Sequence, residues 1–215
     1  MYKKLREILH THPAGAPPSK AIDEILRILF TPAEVEIASK MIFRPQNIQT
    51  IAKQVDLPED EIKNRCESMA NKGILFSREK DGEMGYALLP TIPGIFEFPF
   101  MRGGGTPTHD ELAKLWLTYH QQALGNEFAG SETPLTRVVP IEQTIIHKIE
   151  VLPFEVLSKM LKGEEIFALA QCACRVSVHA CEKLRDVCLI FGLTGKFLMT
   201  VILHTRLPEL KQRVL

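Results

Sequence analysis

Four of the five cysteines are confined to one segment, QCACRVSVHACEKLRDVCLIFG, where Cys172, Cys174, Cys181 and Cys188 are spaced C-x-C-x6-C-x6-C. Four thiolates are the complement that holds an iron–sulfur cubane or a tetrahedral zinc ion. Soft sulfur ligands select iron–sulfur clusters, zinc or Cu(I) over hard cations. Arg175 and Lys183 lie close by in sequence, where positive charge lowers thiolate pKa values and can donate hydrogen bonds to cluster sulfurs. His179, two residues before Cys181, is a further candidate ligand or a polar neighbour. The C-x-C start matches neither the C-x2-C knuckles of common zinc sites nor the C-x2-C-x2-C run of ordinary ferredoxins. Spacing alone therefore leaves cluster and zinc open, beside the plainer readings of buried unligated thiols or disulfides. Cys66 stands apart, on the apolar stripe of a helix beside Ile62 and Met69, and reads as packing.

The elements that must position these cysteines follow from periodicity. A short apolar strand, Ile166–Ala170, leads straight into Cys172, and Phe191–Leu203 reads as a final buried helix or strand. Pro153–Leu161 reads as a helix. Upstream, Phe96, Phe98 and Phe100 make PGIFEFPFM unusually aromatic, suited to an element clamped between others. A glycine run, Gly103–Gly105, reads as a flexible linker before a helix at about 109–128 that carries Trp116, the only tryptophan. Extended chain is expected around Arg137–Ile141.

Nearer the N-terminus, AIDEILRILF has helical spacing, and Thr31 and Pro32 supply an N-cap and a first helical position. A short helix carries Ile48, Ile51, Ala52 and Val55. A longer one opens after Pro58, buries Ile62, Cys66, Met69 and Ala70, and ends at Gly73. Two strands, Ile74–Arg78 and Tyr86–Leu89, flank a turn containing Asp81–Gly82. Helices followed by a hairpin form the winged helix-turn-helix pattern. The expected fold class is accordingly α+β: an N-terminal winged helix-turn-helix over 18–90, a helical bridging region over 91–145 and an α/β four-cysteine domain over 146–215. His10 and His12 fall in an N-terminus expected to be mobile.

Composition narrows the function. The 215 residues are 45% hydrophobic and 24% charged, with 26 basic against 26 acidic side chains, so net charge supplies no drive toward nucleic acid or acidic membrane. The longest apolar runs, such as Val187–Leu193, are far shorter than the ~20 residues of a membrane span. No signal-peptide-like stretch opens the chain, and a cytoplasmic location is expected. DNA binding is disfavoured. The presumptive recognition helix begins Pro58-Glu59-Asp60-Glu61, placing carboxylates where phosphates would lie. Across 47–81, Lys53, Lys63, Arg65, Lys72, Arg78 and Lys80 are outnumbered by Asp56, Glu59, Asp60, Glu61, Glu67, Glu79 and Asp81, six against seven. No G-x-G-x-x-G, P-loop or paired i, i+4 histidine motif is present, so a hydrolase or transferase has no residues to stand on.

Several segments, ILRILFTPAEVEIA, MANKGILF, YALLPTIPGIFEF, TPLTRVVPIEQTI, VLPFEVLSKML, CACR and DVCLIFG, occur in that order over about residues 20–195. Together they resemble ferredoxin-type 4Fe–4S proteins of anaerobes and sulfate reducers that carry an N-terminal winged-helix region; CACR followed by CLIFG is the specific part. The resemblance implies one 4Fe–4S cluster on Cys172, Cys174, Cys181 and Cys188, favoured over zinc, with Arg175 and His179 around it. It implies electron transfer or redox sensing rather than catalysis, a redox partner protein, and a winged helix that docks a partner or a second copy of the chain. A cluster-gated transcriptional regulator and a structural zinc protein are the alternatives.

Overall fold

The computed structural model describes residues 1–103, 106–130, 164–179 and 181–203. Helix and sheet are mixed, compatible with the α+β class, with helices predominating over two small antiparallel sheets. The extended segment expected at 137–141 and the helix expected at 153–161 lie outside the described residues, as do Gly104 and Gly105.

The N-terminus differs from expectation. Tyr2–His10 forms helix α1, which buries Leu5 and Leu9, and its end is tied back by the Ala16 amide donating to His10 Nδ1 at 3.0 Å. His12 is buried too. The sequence cue was present in Leu5 and Leu9, four residues apart on one helical face.

Helix α2, Lys20–Leu29, starts at Ser19, whose hydroxyl accepts from the Ala21 amide at 3.1 Å. It buries Ile22, Ile25, Leu26 and Leu29, the apolar face its spacing dictates. Helix α3, Pro32–Ala38, carries a complete capping box: Thr31 Oγ1 accepts from the Glu34 amide, and Glu34 accepts from the Thr31 amide at 2.8 Å. The same Glu34 carboxylate takes Lys72 Nζ at 2.7 and 2.8 Å, fastening α3 to the second helix after it.

Strand β1, Gln46–Asn47, leads into α4, Ile48–Val55, which Asn47 caps. Helix α5, Glu59–Lys72, opens with three carboxylates in its first turn, a favourable placement against the helix dipole, and buries Ile62, Cys66, Met69 and Ala70. It ends at Gly73, with φ +78°, and a Cβ there would stand 2.8 Å from Phe98 Cβ. Only glycine meets both demands.

The hairpin follows as β2, Leu75–Lys80, and β3, Glu83–Leu88. Asp81 and Gly82 both take positive φ, the two-residue turn whose twist suits antiparallel strands, so the strands run closer to the turn than expected. Strand β1 pairs with the outer side of β3, giving the order β1-β3-β2.

Helix α6, Glu97–Met101, buries Phe98 and Phe100. Helix α7, Pro107–Tyr119, continues through a wider turn at His120–Leu124 into α8, Gly125–Gly130. Trp116 sits in an aromatic nest, its ring 5.2 Å from Phe96 and 5.9 Å from Tyr119. The second sheet joins β4, Phe167–Gln171, to β5, Asp186–Phe191, with the short helix α9, Ala173–Val178, between them. Helix α10, Gly192–Phe197, closes the described fold with a wide turn at Leu198–Ile202. Phe197 lies between Phe76 of β2 and Phe98 of α6, at ring distances of 5.1 and 5.5 Å. Arg102, just past α6, donates to the carbonyls of Ile202 and Val201 at 2.6 and 3.0 Å. One continuous core therefore runs from Leu5 to Ile202. No helix among the described residues is long and apolar enough to cross a membrane.

Candidate thiol site

The cysteine segment is a strand–helix–loop–strand unit, and each cysteine sits at a defined place in it. Strand β4 alternates, burying Ala168 and Ala170 and leaving Phe167, Leu169 and Gln171 half-buried. Ala170 pairs with Cys188 and Ala168 with Ile190, so Cys188 shares the face of the small buried alanines. A register shift after Ala170 sets Gln171 opposite Asp186 and ends the ladder. Cys172 follows at once as the residue before α9, its amide donating to the Arg185 carbonyl at 2.7 Å. Cys174 lies in the first turn of α9.

This arrangement makes Cys172, Cys174 and Cys188 electrostatic neighbours. Burial pushes the Cys188 thiol up to about 11, reinforced by charge and a hydrogen bond from Cys172 and by the charge of Cys174. Cys174, exposed at its surface but partly desolvated by its neighbours, is raised as well, by that desolvation first, then by the charge of Cys172 and of Glu97. Cys172 is thus the hinge of the trio. Cys181 is exposed in the connection between α9 and β5, and none of the described interactions joins it to the other three. Among the described residues, no three His, Cys, Asp or Glu side chains are gathered as a ready-made metal cage. The thiols are neighbours, not a closed ligand set.

The side chains expected around the cysteines organise the loop that bears Cys181. Arg175 Nη1 donates to the Leu184 carbonyl across that loop. His179 takes a left-handed conformation at the end of α9, with φ +52°, and its Nδ1 lies 3.2 Å from Arg185 Nη2. Arg175 and His179 are therefore engaged with Leu184 and Arg185. Cys66 is fully buried on α5, and burial pushes its thiol up to about 12, followed by the charge of Glu67. It is a packing residue.

Glu97 is the contributor the sequence reading missed. Its carboxylate accepts from the Gly94 amide at 2.6 Å, and burial raises its pKa above the ordinary 4.5. Its charge reaches Cys174. A lone acid in the aromatic run PGIFEFPFM was the available signal, since an acid surrounded by phenylalanines is costly unless hydrogen-bonded. No protein-family model matches the chain, and no similar curated protein or solved structure is found.

Proposed function

We propose that this chain is an iron–sulfur protein that holds one 4Fe–4S cluster on Cys172, Cys174, Cys181 and Cys188 and serves electron transfer or redox sensing. The observation that carries the reading is the mutual approach of Cys172, Cys174 and Cys188 at one strand–helix junction, with Cys181 on the adjoining loop. That donor set suits the group: all four are soft sulfur ligands, and Cys172, Cys174 and Cys188 lie within electrostatic reach of one another. The resemblance of CACR and CLIFG to ferredoxin-type 4Fe–4S proteins favours the cluster over zinc.

When bound, such a cluster supplies one-electron chemistry. The residues of this chain do the rest. Arg175 and the His179–Arg185 pair hold the loop that presents Cys181. Glu97 places a buried carboxyl beside Cys174, an arrangement that opposes additional negative charge at the site. The thiols must lose protons on ligation, so assembly is coupled to proton release.

In this proposal the region α4–α5 with the three-stranded sheet is a winged helix, used to dock a redox partner protein or a second copy of the chain. The acidic first turn of α5 speaks against its use on DNA: Glu59, Asp60 and Glu61 stand where a recognition helix meets phosphate.

The test is anaerobic purification with a visible spectrum and iron, sulfide and zinc analysis of one sample. The expected result is a broad, dithionite-bleachable absorbance with about four iron and four sulfide per chain, lost in Cys172→Ser and Cys188→Ser. Stoichiometric zinc without colour would overturn the redox reading and leave a structural metal module.

A further inference from the structure

A second feature lies between the hairpin and α6. The hairpin face bearing Phe76 and Arg78 is opposed across the ladder by Ala87 and Gly85, so large side chains on β2 face small ones on β3. A Cβ at Gly85 would already press on Pro45 at 3.2 Å, which keeps that position free of a side chain. The space left open is a groove of about 490 Å³, walled opposite the hairpin by Phe98 of α6 and by Ile190 of β5. Its size falls within the ~300–1,000 Å³ of small-molecule sites, and its lining has their character, apolar and aromatic with a few polar groups. Among the described residues two ionisable side chains line it, Arg78 and Glu97.

These two are not equivalent. Glu97 is occupied by the Gly94 amide. Arg78 is half-buried, and no hydrogen bond or ion pair of its side chain occurs among the described residues. A guanidinium against apolar walls that forms no ion pair among the described residues is a ready partner for a carboxylate, which it meets with two parallel N–H donors. It also lies where the groove meets the smaller depressions flanking the hairpin. We propose that this groove binds a small amphiphilic monocarboxylate, its apolar body against Phe76, Ala87, Phe98 and Ile190 and its carboxylate on Arg78. The groove shares Glu97 with the surroundings of Cys174, but the proposed ligand meets Arg78 and none of the thiols.

The experiment titrates the full-length protein, as purified, with octanoate below its micellar concentration, using octanol and octylamine as head-group controls. Calorimetry measures affinity, and amide chemical shifts locate the ligand. Octanoate is expected to bind about tenfold or more tighter than octanol, the discrimination of a charge-assisted hydrogen bond, with shifts centred on Ala87 and Ile190. Arg78→Met, which keeps the apolar stem, is expected to reduce octanoate to the affinity of octanol and leave octanol unchanged. Thr194→Phe, which fills the rim from α10, is expected to weaken both, its thermal unfolding serving as a folding control. Equal affinity for octanoate and octanol overturns the assignment of the anion to Arg78. Preference for octylamine overturns it in favour of Glu97. Shifts centred elsewhere, or no binding, overturn the groove as the site.

Discussion

Glu34 offers a quantitative test of how the N-terminal helices are held together, because it performs two separable tasks. Its side chain is only 6% exposed, accepts from the Thr31 amide at 2.8 Å and meets Lys72 Nζ at 2.7 and 2.8 Å. Glu34→Gln keeps an amide that can complete the capping box, so its cost isolates the charge. At an effective dielectric of 20 the bare Coulomb attraction at this distance is about 6 kcal/mol. Desolvation of Glu34 offsets much of that, and Lys72, 38% exposed, is screened by solvent. A net coupling of about 1–2 kcal/mol remains, in the range of hydrogen bonds to charged groups. Glu34→Ala removes the cap as well and should cost about 1 kcal/mol more. The assay is urea unfolding of the wild type, Glu34→Gln, Lys72→Met and the double variant, read as a cycle.

Acid titration supplies the second arm. Burial raises the Glu34 carboxyl, but the hydrogen bonds from Lys72 and Thr31 prevail and hold it below the ordinary 4.5. The folded state therefore binds this proton less readily than the unfolded chain. Its contribution is fully present above pH 4.5 and disappears as pH falls through the lowered folded value. The stability gap between wild type and Glu34→Gln should shrink over that range. A coupling below about 0.3 kcal/mol, within the scatter of additive sites, refutes the reasoning. So does a gap that is flat in acid.

Three further outcomes are expected. Gly73→Ala must accept a left-handed backbone, costing about 1–2 kcal/mol, and a Cβ at 2.8 Å from Phe98, so a total loss of about 2–4 kcal/mol should appear in the urea midpoint. His12, with a buried unpartnered Nδ1 and a pKa lowered from 6.5 by desolvation, should lose its stabilising contribution as pH falls below 6.5; His12→Phe should flatten that limb of a thermal-melt pH series. Under reducing, metal-free conditions the exposed Cys181 and Cys174 should react with a thiol reagent well before Cys66, which should react only with global unfolding, as quantified by peptide mass mapping.

Legibility in the sequence tracked how local each feature is. Thr31, Pro32 and Glu34 announce a capped helix within four residues, and Asp81–Gly82 announces the hairpin turn, because each is a contact between near neighbours. The stripe Ile62, Cys66, Met69 and Ala70 is buried as its helical spacing requires. What escaped notice depends on distant partners. Strand β1 is two residues long and exists only because β3 offers it a free edge. Strand β5 carries Cys188 in a run with no clean alternation, and its pairing with β4 defines it. The clustering of the cysteines in sequence was plain, but which three thiols meet depends on the Ala170–Cys188 register, and that is a tertiary fact. Glu97 reaches Cys174 across 77 positions (174 − 97) for the same reason.

The Arg102 fork and the Phe197 wedge bear on the order in which the molecule is made. A ribosome delivers α1 through α6 long before Phe197, Val201 and Ile202 emerge, so Phe76, Phe98 and Arg102 must wait, their intended cover still unsynthesised. During that interval two phenylalanine rings and an arginine lack the partners they have in the folded chain. The cysteine strands emerge just before α10 and the turn after it, whose Phe197, Val201 and Ile202 supply those partners.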